Sequence, residues 1–222
     1  MDTDHPTLRT PAAACLIAAP LALTAADLLQ LSRSAPFGWT VVMWLAFVLF
    51  VPAIFALGHV ARSRAPTLGV VAAAVTLVGA MAGASMQVLF RTSAVLESAA
   101  LSVESRAAVE AALSDHPLLT LTTLVPGILF PLGLIFLGLL LTRHHLGARP
   151  ATFLLVLGGV LFPMGHAAEV DVALIGGDLV LLVALSWLAR EIQRRPELWS
   201  PAAYPHAAGE TVPAAEPVPA RA

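Results

Sequence analysis

Long apolar segments constrain this chain more than any other feature of its sequence. Several of them follow one another, separated by short polar or arginine-containing connections. A helix of about 20 apolar residues crosses a bilayer, and only helices or closed barrels satisfy their backbone hydrogen bonds in lipid. We therefore predict an all-α polytopic membrane helix bundle of about six transmembrane helices. The predicted spans are residues 11–31, 37–61, 66–90, 117–142, 150–169 and 172–190.

The composition agrees with this class and excludes several others. The chain is 58% hydrophobic and only 12% charged, which is far from the balance of a soluble domain. All twelve of its basic residues are arginines, and they lie at predicted helix ends rather than in one patch, so a nucleic-acid partner is not expected. Cys15 is the single cysteine, which excludes an internal disulfide and a cysteine-based metal site.

The distribution of arginines predicts the orientation of the bundle. With six spans both termini lie on one side, and that side is rich in arginine, which places it in the cytoplasm. We expect a bacterial-type inner-membrane protein with a cytoplasmic N-terminus at 1–10 and a transmembrane domain at 11–195. Residues 196–222 are rich in Pro and Ala and are predicted to form a disordered cytoplasmic tail. The arginines on the cytoplasmic side are Arg9, Arg62, Arg64, Arg143, Arg149, Arg190, Arg194 and Arg195, against Arg33, Arg91 and Arg106 on the other.

The long connection at 91–116 lies on the outer side in this topology. Ser102 is a suitable N-cap and Glu104 falls in the first turn that would follow it. Apolar side chains such as Val109 recur among alanines, which predicts a short amphipathic outer helix. This helix is either a solvated connector or a lid over an outward-facing pocket.

A histidine and three carboxylates interrupt the apolar pattern near the end of the chain. The segment 162–178 reads FPMGHAAEVDVALIGGD and contains His166, Glu169, Asp171 and Asp178. An ionisable side chain at membrane depth costs about 2.5–3.5 kcal/mol on insertion scales, so such residues usually face a bundle interior and serve a function. This segment is therefore the leading candidate site.

Depth along the predicted helices decides which polar groups can meet. If the last hairpin turns near Val172, His166 and Asp178 lie six residues on either side of it and at similar depth. Glu169 and Asp171 then belong to the turn. The buried pair either hydrogen-bonds to hold two helices together or binds a proton or ligand. The candidate ligand-binding residues on the outer half are Asp27, Gln87, His116, Met164, His166, Asp171 and Asp178.

Metal and haem sites are not predicted, and no cofactor is expected. His59 and His166 lie near opposite ends of their helices, too far apart to share one iron, although His116 with His166 remains geometrically open. Met164 beside His166 would suit copper(I), but the repeated Met or His spacing of a copper site is missing. Methionine also fills irregular gaps in apolar cores.

Two resemblances extend this interpretation. The segment 132–159, LGLIFLGLLLTRHHLGARPATFLLVLGG, and a last helix opening with Asp178 resemble small six-helix bacterial membrane proteins of unknown function. That resemblance implies the fold and no activity. The intramembrane carboxylates are also similar to those that small integral-membrane terpene cyclases use as acids, although such enzymes usually have seven helices.

Three functions remain open at this point. The first is a membrane protein with an outward-facing polar pocket that binds a small hydrophobic or lipidic ligand, or exchanges protons. The second is an intramembrane acid/base enzyme on an isoprenoid-like substrate, with His166, Asp178 and Glu169 as catalytic residues. The third is a structural or accessory subunit. Membrane lipid is the one partner expected, and the oligomeric state is not predicted.

Overall fold

The computed structural model describes residues 6–32, 38–98, 102–114, 116, 117, 121, 125–166 and 170–199. Over these residues the chain is helical, which confirms the all-α prediction. A short 3-10 turn, Pro196–Leu198, follows the last helix. The seven helices within the described residues are α1 (Pro6–Ser32), α2 (Gly38–Arg62), α3 (Pro66–Ser98), α4 (Val103–Ser114), α5 (Val125–Arg143), α6 (Arg149–His166) and α7 (Asp171–Arg194).

Six of the helices form a closed ring in chain order. Each of α1, α2, α3, α5, α6 and α7 packs on the next, and α7 packs back on α1. Successive helices run in opposite directions where short connections join them. Helices α3 and α5, which are joined through α4, are also antiparallel, because Gly79 faces Phe130 and Gly133 faces Thr76. The ring has two ends: the termini end, where α1 starts and α7 finishes, and the connector end, where α3 leads into α4.

Four of the described helices are long and apolar enough to cross a membrane. These segments are Leu8–Ser32, Gly38–Arg62, Pro66–Thr92 and Asp171–Arg194, and α5 contributes a shorter apolar segment at Gly127–Arg143. These helices fit a multipass membrane protein. The number of six spans remains a prediction, since the predicted fourth span includes residues 118–120 and 122–124, which lie outside the description.

Some helices extend beyond the predicted spans. Helix α3 runs through to Ser98, eight residues past its predicted end, whereas the predicted end of α6 at residue 169 lies outside the described residues. Helix α4 lies in the connection where a short helix was predicted, and its described side chains are almost all exposed. Its location on an outer membrane surface stays a prediction. Trp199, which falls within the predicted tail, packs against the core. Residues 200–222 lie outside the description.

Glycines set the close approach of several helix pairs. A Cβ atom at Gly79 on α3 would overlap the backbone of Phe130 on α5, and one at Gly133 would overlap Thr76. Side chains larger than hydrogen are excluded at these crossings, as is common where membrane helices pack without a hydrophobic driving force. The α3–α5 contact therefore brings backbone against backbone.

Aromatic rings fill the centre of the bundle. Phe130 is 1% exposed and makes edge-to-face contacts with Phe47, Phe50 and Phe162, at centroid distances of 5.4, 5.0 and 5.2 Å. These distances are typical of favourable aromatic pairs. The rings connect α2, α5 and α6 across the interior and form a floor beneath the connector end.

Candidate functional site

Two carboxylates occupy positions on inward helix faces where an apolar residue would be expected. On α1, Leu16, Leu23 and Asp27 follow the helical repeat and are all fully buried. On α7, Asp178 is 1% exposed and lies one turn before the buried Leu181. The packing that buries these leucines therefore also carries both acids into the interior.

The side chains of Asp27 and Asp178 meet between α1 and α7, close enough to share a hydrogen bond. Because α1 and α7 close the ring, this contact joins the first and last helices of the fold. The pairing of Asp178 with α1 was not predicted: the sequence suggested His166 as its partner. Helix order along the chain does not reveal that the last helix returns to the first.

The side chain of His166 reaches the carboxylates by pointing back toward the N-terminus of α6. Gly165 faces Leu174 and Gly177 faces Leu161, so Asp178 lies about level with Phe162 rather than with His166. A helical side chain points toward the N-terminus of its helix, which brings the imidazole down to the level of Phe162.

Two contacts hold the imidazole in this position. Its ring stacks on Phe162 with centroids 4.1 Å apart and planes 19° apart. Its Nδ1 lies 3.1 Å from the Phe162 carbonyl oxygen, and since that oxygen only accepts, Nδ1 carries the hydrogen and donates it. Nε2 is then directed at Asp27, 3.4 Å from Oδ2.

His166 and Asp178 thus each adjoin Asp27, and we call these three side chains the carboxyl cluster. Within the described chain, both oxygens of Asp27, Oδ2 of Asp178 and Nε2 of His166 are buried and lack a hydrogen-bond partner. Buried polar atoms without partners are rare and call for an explanation such as an exchangeable proton, a water or a ligand.

Hydrogen-bond chemistry indicates that the carboxyl cluster lacks hydrogen-bond donors. A carboxylate only accepts, and so does Nε2 when Nδ1 bears the ring hydrogen. Each of these contacts, His166 with Asp27 and Asp27 with Asp178, therefore becomes a hydrogen bond only when a proton lies between the two groups. The cluster can bind two protons, which would balance its two negative charges in an apolar interior.

The remaining predicted site residues lie elsewhere. His116 and Asp171 are exposed, and Met164 is 50% exposed on the outer face of α6. Glu169 lies outside the described residues. Gln87 is buried with its Oε1 unpartnered, but it lies on α3, on the other side of the ring.

Gln87 faces a small cavity of its own, of about 200 Å³, between α2 and α3. A larger cavity of about 600 Å³ lies between α1, α2 and α3 at the termini end. Neither of the two is lined by a member of the carboxyl cluster. The outward-facing pocket around the acids that the sequence suggested is thus not one of these two cavities.

Metal binding has no support in the arrangement of side chains. In the described part of the chain, no three His, Cys, Asp or Glu side chains are grouped closely enough to hold a metal ion.

Two contacts were missed from the sequence, one in the carboxyl cluster and one at the termini end. Phe162 positions the imidazole of His166, and the spacing of four residues between them on one helix face was the available signal. His59 is in contact with Trp199, which brings the end of the described chain against α2. No local pattern indicates that second contact, because it joins residues 140 positions apart.

Comparison of the chain with protein-family models, with curated proteins and with solved structures finds no significant match. Its class therefore rests on the helices themselves, which fit a multipass membrane protein.

Proposed function

We propose that this protein is a multipass inner-membrane protein whose carboxyl cluster takes up and releases protons. The observation that carries the proposal is the grouping of the half-buried His166 with the buried Asp27 and Asp178, whose acceptor atoms lack partners. Protons are the smallest species that satisfy those atoms without a large cavity.

Burial and exposure support a route for exchange. The side chain of His166 is 26% exposed while that of Asp27 is fully buried. Imidazole also exchanges protons readily near neutral pH in its unperturbed form. We infer that protons enter through His166 at the connector end, pass to Asp27 and are shared with Asp178. A small ligand bearing N–H or O–H donors would satisfy the same atoms. This variant of the proposal also needs a cavity through which the ligand reaches the carboxyl cluster.

The predicted topology supports the location. The arginine-rich termini end would face the cytoplasm, as the positive-inside rule requires, and the carboxyl cluster would then open toward the outer side. In that orientation α4 lies on the outer surface.

Proton uptake can be measured directly on the purified full chain. The infrared spectrum should contain a carbonyl band of a protonated carboxylic acid that shifts in heavy water and is lost in Asp27→Asn and in Asp178→Asn. In liposomes with an internal pH-sensitive dye, His166→Ala should slow the response to an imposed pH gradient at least ten-fold.

Asp171→Asn is the matched control, because it removes an exposed carboxylate from the start of the same helix as Asp178. It should leave both the band and the dye response unchanged. An infrared band that survives in both buried variants, or an equal dye response in all of them, would contradict the proposal.

One observation favours a second candidate, an intramembrane acid/base enzyme on an isoprenoid-like lipid. The ring of Phe162 stacks on His166 and packs edge-to-face on Phe130, and aromatic faces stabilise the cations that form when an acid protonates an alkene. In this case Asp178 would be the acid and His166 would orient Asp27.

The enzyme and the proton-exchange function differ in what they produce. Incubation of the protein with a long-chain isoprenoid, followed by mass spectrometry and chromatography, would reveal a product of the same mass and a different retention time. If the Asn variants lose only detergent stability, with neither proton exchange nor turnover in the original chain, the cluster is structural and both functions are excluded.

A further inference from the structure

An apolar groove lies on the surface at the termini end, far from the carboxyl cluster. Helix α2 forms its floor and α1 and α3 form its walls, with Trp199 at one edge, around a cavity of about 600 Å³. That volume falls within the range of about 300–1,000 Å³ that small-molecule sites occupy. Its lining is apolar except for a few side chains, among them Cys15, His59 and Arg62.

Small residues create the groove. Ala12, Ala56 and Ala74 line it, one from each of the three helices. Gly58 lets α2 and α3 approach closely, because a Cβ atom there would lie 2.6 Å from the Cβ of Ala73. The alanines thus leave open a volume that larger side chains would fill.

Large apolar side chains stand at the rim of the groove. Leu8, Phe55 and Val70 are 61%, 60% and 51% exposed. A soluble protein would rarely leave so large an apolar surface uncovered, whereas the hydrocarbon of a bilayer covers it at no cost. The groove therefore faces lipid in a membrane-embedded bundle.

Trp199 and His59 close one edge of the groove. Their ring centroids are 4.6 Å apart, and His59 Nε2 lies 3.1 Å from the Trp199 carbonyl oxygen. The carbonyl oxygen only accepts, so Nε2 donates and Nδ1 is left as an acceptor for a headgroup hydroxyl or ammonium group. Tryptophan is enriched where membrane proteins meet the headgroup layer, which fits this edge.

The charge at this end of the bundle matches an anionic headgroup. Arg62 is the arginine that lines the groove. Arginines near the surface attract anionic lipids by about 1 kcal/mol each.

We propose that the groove binds an acyl chain of an anionic phospholipid, with its phosphate at Arg62 and its glycerol region beside Trp199 and His59. The alanine-lined channel holds the acyl chain, and the arginine selects the headgroup. This site is independent of the proposed proton exchange and goes beyond it.

Native mass spectrometry of the full chain tests the selection of the headgroup. The probes are phosphatidylglycerol and phosphatidylcholine with the same acyl chains, added in equal amounts. We expect phosphatidylglycerol to be retained preferentially. Arg62→Gln should lower that preference by about five-fold, which corresponds to the loss of one arginine at a lipid surface. Arg64→Gln is the matched control, since Arg64 lies two residues away and outside the groove lining.

Filling the groove tests the acyl-chain site. Ala74 is exposed and lines the groove, so Ala74→Phe fills it without changing the core. We expect at least ten-fold less retention of both lipids. Val71→Phe adds a similar ring on an exposed position of the same helix outside the lining and should retain lipid normally.

Fluorescence supplies a second measurement that does not depend on mass spectrometry. In a variant with Trp39, Trp44 and Trp187 replaced by Phe, phosphatidylglycerol with brominated acyl chains should quench Trp199, and Ala74→Phe should abolish the quenching. Equal retention of the two lipids, equal effects of Arg62→Gln and Arg64→Gln, or a lipid-free dimer as the main species would each overturn the proposal.

Discussion

At the scale of single residues, the position of His166 depends on Phe162. The imidazole stacks on the Phe162 ring and donates to its carbonyl oxygen, and both contacts direct Nε2 at Asp27. Neither contact requires an acid, so the aromatic pair keeps the imidazole in place whether or not the carboxyl cluster holds its protons. Phe162 is in this sense a positioning residue.

The stacked pair predicts a measurable coupling energy. In a double-mutant cycle of Phe162→Leu and His166→Leu, we expect a coupling of about 0.5–1.5 kcal/mol, the amount that aromatic pairs add beyond area burial. The measurement is unfolding of the purified protein in mixed detergent micelles. Phe153→Leu on the same helix replaces a ring that is 63% exposed and should show no coupling to His166→Leu.

Asp27 lies between two partners and is the residue on which the cluster depends most. Asp178 and His166 each contact it from a different helix, so its removal breaks both links. We expect Asp27→Ala to slow the dye response in liposomes at least as much as His166→Ala and Asp178→Ala do. A smaller effect than either would mean that Asp27 is not the central group.

At the scale of helices, glycine decides which pairs pack tightly. A Cβ atom at Gly79 would overlap the backbone of Phe130, which cannot rotate away as a side chain can. At Gly176 a Cβ atom would meet nothing within 4 Å. Both glycines lie in helices, but the same substitution has opposite consequences because their surroundings differ.

This contrast predicts the sign of two alanine substitutions. Gly79→Ala should destabilise the bundle by about 1–3 kcal/mol, because it overpacks the α3–α5 contact. Gly176→Ala should be neutral or stabilise by up to about 1 kcal/mol, since alanine has the higher helix propensity. Thermal unfolding in detergent measures both, and a destabilising Gly176→Ala would contradict the packing described for α7.

At the scale of the whole molecule, the return of α7 to α1 closes the ring and assembles the site. Asp27 lies in the first helix and Asp178 in the last. Their contact exists only once all six ring helices have packed in order. The carboxyl cluster therefore reports on the integrity of the whole bundle.

The predicted six-span topology can be checked with introduced cysteines. In a Cys15→Ser background, Ala107→Cys on α4 should react with a membrane-impermeant maleimide added to intact cells. Arg64→Cys, in the exposed turn between α2 and α3, should react only after the membrane is opened. Labelling of both positions from the same side would exclude six spans.

Local composition and spacing were enough to predict an all-α membrane bundle and to mark His166, Asp178 and Asp27 as the residues to explain. Hydropathy and helical period are properties of neighbouring residues, so they can be read without knowing the fold. Helix ends were predicted less well, as the extension of α3 to Ser98 illustrates.

Packing between distant parts of the chain decided the rest. The rotation and depth of each helix determine that His166 points at Asp27 and that Asp178 also meets Asp27. The same packing separates Gln87 from the carboxyl cluster and brings Trp199 to His59. These relations depend on small residues at helix crossings and on ring closure, which act between residues far apart in sequence and leave no local pattern there.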